Sequence, residues 1–435
     1  MSASCILADA LLPDGRRVDV TVVDGVVASV EQATPADRGT SGPPGGGEST
    51  GGDGDPAPAP AEPPEYHDLG GMLLLGGLAE PHAHLDKALS AETVVNATGD
   101  LIGAIEAWHG HRGGITTENT MARALRATEI AVEHGVTAIR SHVDVGVDIG
   151  ARGIEALGEV RRLCRRLVDL QIVALVGVPL TGSGGAGNRR ALAAALDAGA
   201  DLVGGAPALD PRPAEYVNVC LDAAAEAGLP VDLHIDETLD PDARAIIDLA
   251  RGVLDRGFPH AVTASHCVSL GMMRETDQRE IAALVAEAGV GVVTLPQTNL
   301  FLQSRGRRTA PPRGLTALAA LAEAGVRVAG GGDNLQDPFN LMGRGDPFET
   351  ASLLVTAGHL LPDDALRRVS ASARDIMGLP AAEARPGATA DLVAVDASSG
   401  REAIAAAPGT RKTFKAGRLV AHTARRVVVP GAPWA

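Results

Sequence analysis

The sequence predicts an α/β protein: a (β/α)8 TIM-type barrel carrying a small composite β-sandwich domain built from both termini. Three observations carry that expectation. Between about residues 70 and 380, short apolar strands alternate with alanine-rich helical stretches, and eight such strands can be counted. Strand-like segments occupy both ends of the chain. Histidines and acids collect just past the middle strands, at the end of a barrel that carries its chemistry. The length, 435 residues, suits one large barrel with a smaller appendage.

Taken in order, Val18 to Val23 and Val26 to Val30 flank Asp24-Gly25, a hairpin turn signal. Residues 36–61 turn to Gly, Pro, Ser, Ala and acids, with almost nothing to bury, and read as a disordered Gly/Pro-rich insertion. The composite domain is therefore assigned to 1–35, 62–75 and 381–435, and the barrel to 76–380. The barrel strands are the one before His82, then Val136–Arg140, Leu170–Val176, Asp201–Gly204, Val231–His234, Ala261–His266, Gly289–Thr294 and Val326–Ala329. Helical patterns such as Arg189–Ala198, Ala223–Ala227, Glu280–Ala288 and Leu315–Ala324 lie between them. Asp391–Asp396, Thr413–Val420 and Arg426–Pro430 return to sheet. An open doubly wound sheet would want a G-x-G-x-x-G turn after a strand, and none is present.

Composition narrows the function classes. Hydrophobic residues at 45% and charged residues at 21% are ordinary for a globular enzyme. A formal charge of −16 argues against a nucleic-acid partner. No apolar run reaches the roughly 18 residues of a membrane span, and the start shows no basic region followed by an apolar core. Cys5, Cys164, Cys220 and Cys267 lie far apart and form no C-x-x-C pair, which argues against a zinc knot, a disulfide scaffold and the P-C-x-x-C nucleobase deaminases. Cys267 reads as a buried small hydrophobe. The expectation is a cytoplasmic chain with reduced thiols, acting on a small molecule, with no nucleic-acid or membrane partner and room for a homo-oligomer.

The stretch AEPHAHLDKAL at 79–89 is the sharpest local signal. Residues i and i+2 of a strand share a side, so His82 and His84 converge, as suits a divalent metal. His142 and Asp144, His234 with Asp236 and Glu237, His266, and Asp333 with Asn334 close later strands. Gly330-Gly331-Gly332 before Asp333 permits a close approach. Three neutral imidazoles and one carboxylate make a ligand set with a position left for water. Glu237, three residues after His234, is placed to shuttle a proton to a leaving nitrogen. His266 is placed to orient hydroxide or stabilise developing charge, and Asp333 to ligate and to accept the water's proton. No organic cofactor is required. One ion is favoured over two, because Asp201–Pro207 on the fourth strand offers no lysine for a carboxylated bridge. His109 and His111 lie in a loop or helix end, as a surface feature or a pocket lining. His134 ends a helix, and His67, His260, His359 and His422 read as structural. Lys87 touches substrate or pairs with Asp86.

With these residues in place the chain resembles the amidohydrolase superfamily, and most of all its bacterial cytosine deaminase branch. The resemblance rests on EPHAHLDK at 80–87, SHVDVG at 141–146, QIVA at 171–174, DLHIDE at 232–237, VTASHC at 262–267, LPQTNLFLQSRG at 295–306 and GGDNLQDPFNLMGRGDP at 331–347. It implies metal ligation by His82, His84, His234 and Asp333, proton shuttling by Glu237 and a water-side role for His266. It implies one divalent ion, zinc or ferrous iron. It places Asn299 and Gln303 on a substrate-side loop, with Phe339 and Asn334 near the same site. Three departures matter, one being Asn334 in place of a second acid after the strand-eight aspartate. Leu180 or Thr181 takes the place of a glutamine that reads the pyrimidine's amide edge in cytosine deaminases, and such a loss discriminates against the original base. Lys87 replaces a threonine, a feature similar to that of relatives acting on aminotriazines. The expected function is hydrolytic deamination of a small N-heterocycle, by attack of metal-activated hydroxide on an amidine-like carbon with release of ammonia or an amine. Hydrolysis of a cyclic or linear amide by the same site is the alternative, and a catalytically silent binding barrel is a third reading.

Overall fold

The computed structural model describes residues 4–33 and 64–430; the expected insertion at 36–61 lies outside the described residues. Strands β1 (Ser4–Leu11), β2 (Arg17–Val23), β3 (Val26–Gln32), β4 (Glu65–Asp68) and β5 (Leu73–Gly76) lead into the barrel. Its strands are β6 (Leu78–Ala83), β7 (Val136–Val145), β8 (Asp169–Val176), β9 (Leu202–Gly205), β10 (Val231–Ile235), β11 (Val262–His266), β12 (Gly291–Thr294) and β13 (Val328–Gly330). Strands β14 (Leu392–Val395), β15 (Arg411–Lys415) and β16 (Arg418–Thr423) follow.

The eight middle strands pair in parallel and in sequence order, as repeated βα units require. The ring closes through a parallel bridge between Ala83 and Asp333, where the Asp333 N–H donates to the His82 carbonyl at 3.0 Å. Every residue of β7 is buried, as expected of a strand covered on both faces. The surrounding helices bury apolar stripes. Pro213–Ala227 turns Tyr216, Val217, Cys220, Leu221 and Ala224 inward and ends at Gly228, whose φ of 69° is the left-handed cap that glycine adopts without strain.

The strands of the two termini form one eight-stranded sheet, in the order β16-β15-β14-β5-β1-β2-β3, with β4 also paired to β1. A bulge between Leu7 and Ala10 bends β1. The sheet folds over like a sandwich: Cys5 Sγ donates to the Gly417 carbonyl at 2.9 Å, and the His67 ring meets Phe414 edge-on at 5.2 Å. Three ion pairs fasten it to the barrel, those of Arg411 and Arg374 buried. Arg411 meets Asp346 at 2.6 Å, Lys415 meets Asp169 at 2.6 Å and Arg374 meets Asp391 at 3.1 Å. No helix among the described residues is long and apolar enough to cross a membrane. All four cysteines are free and buried.

Candidate metal centre and its cavity

The barrel's closure brings the two ends of the chain's motif series together. His82 and His84 project from the end of β6, and His234 from β10. The Nε2 atoms of His82 and His84 each lie 3.2 Å from Nε2 of His234. Asp333 follows β13, and its Oδ1 lies 3.3 Å from His84 Nε2 and 3.7 Å from His82 Nε2. His266 ends β11, with Nε2 3.9 Å from Asp333 Oδ2. His266 and Asp333 adopt φ of 69° and 65°, left-handed values that are strained for residues other than glycine.

The donor chemistry fits a cation. Both Asp333 carboxylate oxygens are buried without a hydrogen-bond partner. A carboxylate so placed is costly unless a positive charge meets it. Burial first, and then the neighbouring imidazoles, holds His82, His142 and His234 well below the usual imidazole value, in the neutral form that ligates metal. Two overlapping triads lie within ligand reach, His82–His84–Asp333 and His82–His234–His266.

Glu237 stands beside this cluster, with Oε1 buried, without a hydrogen-bond partner and 3.5 Å from His266 Nδ1. Burial, and next the Asp333 charge, pushes its carboxyl well above the ordinary value. His266 Nδ1 also lies 3.1 Å from Asn299 Oδ1, an arrangement that leaves Nε2 facing Asp333. Two of the three glycines, Gly331 and Gly332, serve a contact that the sequence did not reveal. The Glu80 carboxylate accepts from Gly332 N at 2.8 Å and His82 N at 3.1 Å, and a Cβ on Gly331 would stand 2.7 Å from it.

A cavity of about 400 Å³ opens from the centre. His84, His234, His266, Glu237 and Asp333 form one end, with Lys87, Asn334 and Phe339 beside them. Helix α1 (Leu101–Arg112) forms an opposing wall through Leu101, Ile105, Trp108 and Arg112. Its anchor is Asp144, which accepts from Lys87 Nζ at 2.7 Å, Trp108 Nε1 at 2.8 Å and Arg112 at 3.0 Å. Lys87 pairs with Asp86 as expected, at 3.2 Å, but Asp144 is its nearer partner. His109, in the last turn of α1, lines the cavity although exposed.

Four expected substrate contacts lie elsewhere. Leu180 and Thr181 are off the cavity, because Asp210 holds both, taking the Leu180 N–H at 2.8 Å. Gly177 and Val178, directly after β8, line the wall instead. Asn299 is buried behind His266, and its amide donates to the Gly314 carbonyl at 3.1 Å. Gln303 lines a neighbouring outer cleft and donates to the Glu237 carbonyl at 3.3 Å. Trp108, Arg112 and Asp144 were missing from the expected contacts. The spacing of Leu101, Ile105, Trp108 and Arg112 is a helical face and was the available signal.

The sequence pattern of the amidohydrolase family matches residues 169–421. A pterin deaminase of Rhizobium rhizogenes is 34% identical over 370 residues, 83% of each chain. The N-isopropylammelide isopropyl amidohydrolase of Pseudomonas sp. is 25% identical over 304 residues, 65% of this chain and 68% of that one. Among solved structures, 5-methylcytosine deaminase of Klebsiella pneumoniae superposes with a TM-score of 0.83 and 27% identity, over 98% of this chain and 100% of the other. The family pattern spans more than half of the chain and takes in His234, His266 and Asp333, and a relative 34% identical covers 83% of it, so the chain belongs to the amidohydrolase family.

Proposed function

We propose that the protein is a metal-dependent hydrolase that removes the exocyclic nitrogen from a small amino N-heterocycle. The observation that carries the reading is Asp333, a buried carboxylate with no hydrogen-bond donor, set among imidazoles and opposite the raised carboxyl of Glu237. His82, His84, His234 and Asp333 would hold one divalent cation, and their nitrogen and oxygen donors suit zinc or ferrous iron. Such a cation supplies Lewis acidity and brings the pKa of water toward neutrality.

The chain's own residues supply the rest. Asp333 accepts the proton that attacking water loses. Glu237 carries a proton to the departing nitrogen, so that the carbon–nitrogen bond breaks with ammonia or an amine as product. His266, held from behind by Asn299, presents Nε2 where oxygen charge develops. Pterin, 5-methylcytosine and isopropylammelide, named for the relatives, share an amidine-like carbon next to a ring nitrogen rather than a single ring. The shared chemistry therefore supports an aminoheterocycle as the substrate class. With Gly177 and Val178 at the wall after β8, no side-chain amide reads a pyrimidine edge there. That favours a ring other than cytosine.

The test is ammonia release by the metal-reconstituted protein across pterin, cytosine, 5-methylcytosine and aminotriazines. Release from one of them that is abolished by Asp333→Ala supports the reading. Silence across the panel from protein shown to hold metal overturns the deaminase assignment.

A further inference from the structure

The inner face of His82 carries contacts that the reaction does not use. His82 Nδ1 lies 2.9 Å from Ser265 Oγ, and Ser265 Oγ lies 2.9 Å from Asp232 Oδ1. Asp232 Oδ2 accepts from Arg140 at 2.8 Å. His82, Ser265 and Asp232 are fully buried. Arg140 is itself fixed, donating to Gln171 Oε1 at 2.9 Å.

The direction of every hydrogen bond follows from the two ends. A guanidinium only donates, and an ionised carboxylate only accepts. Asp232 faces the Arg140 guanidinium at 2.8 Å on one oxygen and the Ser265 hydroxyl at 2.9 Å on the other. Ser265 must then give its one hydroxyl hydrogen to Asp232. Its oxygen can meet His82 only by accepting from Nδ1–H. The His82 lone pair is thereby left on Nε2, the atom that faces His234 and Asp333.

We propose that Ser265 and Asp232, backed by Arg140, are positioning residues that set the tautomer and ring orientation of His82 for metal binding. The inference rests on His82 being a ligand through Nε2. Such outer partners of a ligating histidine raise its affinity for metal and hold its geometry. His142, Asp232 and His82 also lie within ligand reach of one another. That group is not a second site, because Arg140 already neutralises Asp232 and Ser265 occupies His82 Nδ1.

Two measurements on the full chain test this. In metal-free protein labelled with 15N-histidine, long-range proton–nitrogen correlations report the His82 tautomer, assigned by signal loss in His82→Asn. Nδ1–H with bare Nε2 is expected, and Nε2–H would overturn the relay. Chelator competition with Zn2+ then compares wild type with Ser265→Ala. The variant should bind about 10–100-fold more weakly, and equal affinity would overturn the positioning role. If the variant does not fold, the tautomer decides alone. A wild-type chain that binds no Zn2+ would refute the metal reading instead, and the tautomer would still judge the relay.

Discussion

Replacing Asp144 by Asn keeps the volume of the side chain and removes its charge. The carboxylate serves three donors from two segments: Lys87, Trp108 and Arg112. Its side chain is 11% exposed and that of Lys87 is 4%, so solvent does little to soften the loss. Asparagine offers one accepting oxygen and turns an NH2 group toward donors. Breaking a buried pair of this kind costs about 3–5 kcal/mol. Asp86 remains at 3.2 Å from Lys87 and Asp148 at 3.0 Å from Arg112, so the lower end is expected. At an unfolding entropy of about 2.1 cal/mol/K per residue, a 435-residue chain loses ~3 °C of melting temperature. The pH dependence has a definite sign. Burial would raise the Asp144 carboxyl, but Lys87 and then Arg112 outweigh it and hold it well below its usual value. A depressed acid contributes stability that is whole above the unfolded pKa of about 4 and lost as pH falls through the folded one. Thermal melting of both proteins at pH 7.5 and at pH 3.5 should show the ~3 °C gap at the higher pH and a smaller gap at the lower. Coincident melting at pH 7.5, or a gap that widens on acidification, would refute the reasoning.

Glu237→Gln should lower kcat by about 10²–10⁴-fold with metal content unchanged; turnover within threefold of wild type removes Glu237 from its role. Asp333→Ala should bind little metal and melt without the upward shift that added Zn2+ gives the wild type, as calorimetry with and without the ion will show. Gly331→Ala should destabilise the chain by about 1–3 kcal/mol and weaken metal binding, because its Cβ would press on Glu80 and on Leu295 at 2.9 Å. Chemical denaturation together with metal analysis of the purified variant checks both parts, and a fully stable, fully loaded variant contradicts the account of the glycine run.

The barrel was legible because each strand is a short apolar run bounded by turns, and burial on both faces leaves that pattern in the chain. Its strand boundaries came out within a few residues, with β7 running on to Val145 through His142 and Asp144. The metal-ligand candidates were legible for a related reason. Histidines and acids interrupt apolar segments only where something compensates them, and they stood at strand ends. The substrate wall was read less well. Leu180 and Thr181 are close in sequence to a strand end, yet Asp210, about thirty residues on, holds them away from the cavity. A loop's path depends on which distant group captures its backbone, and neighbouring residues do not encode that.

The sequence by itself determined the alternation of strand and helix, the paired histidines on one side of β6, and the acids available to them, since local periodicity and residue chemistry suffice for these. Only the tertiary structure decided that Asp333 meets His82 and His84, because closing the barrel joins segments some 250 residues apart through one bridge. It likewise decided that Asp144 anchors Trp108 and Arg112 as a cavity wall, and that Ser265, Asp232 and Arg140 stand behind His82. Such contacts are set by where strand ends converge in space, and one-dimensional spacing carries no record of that convergence.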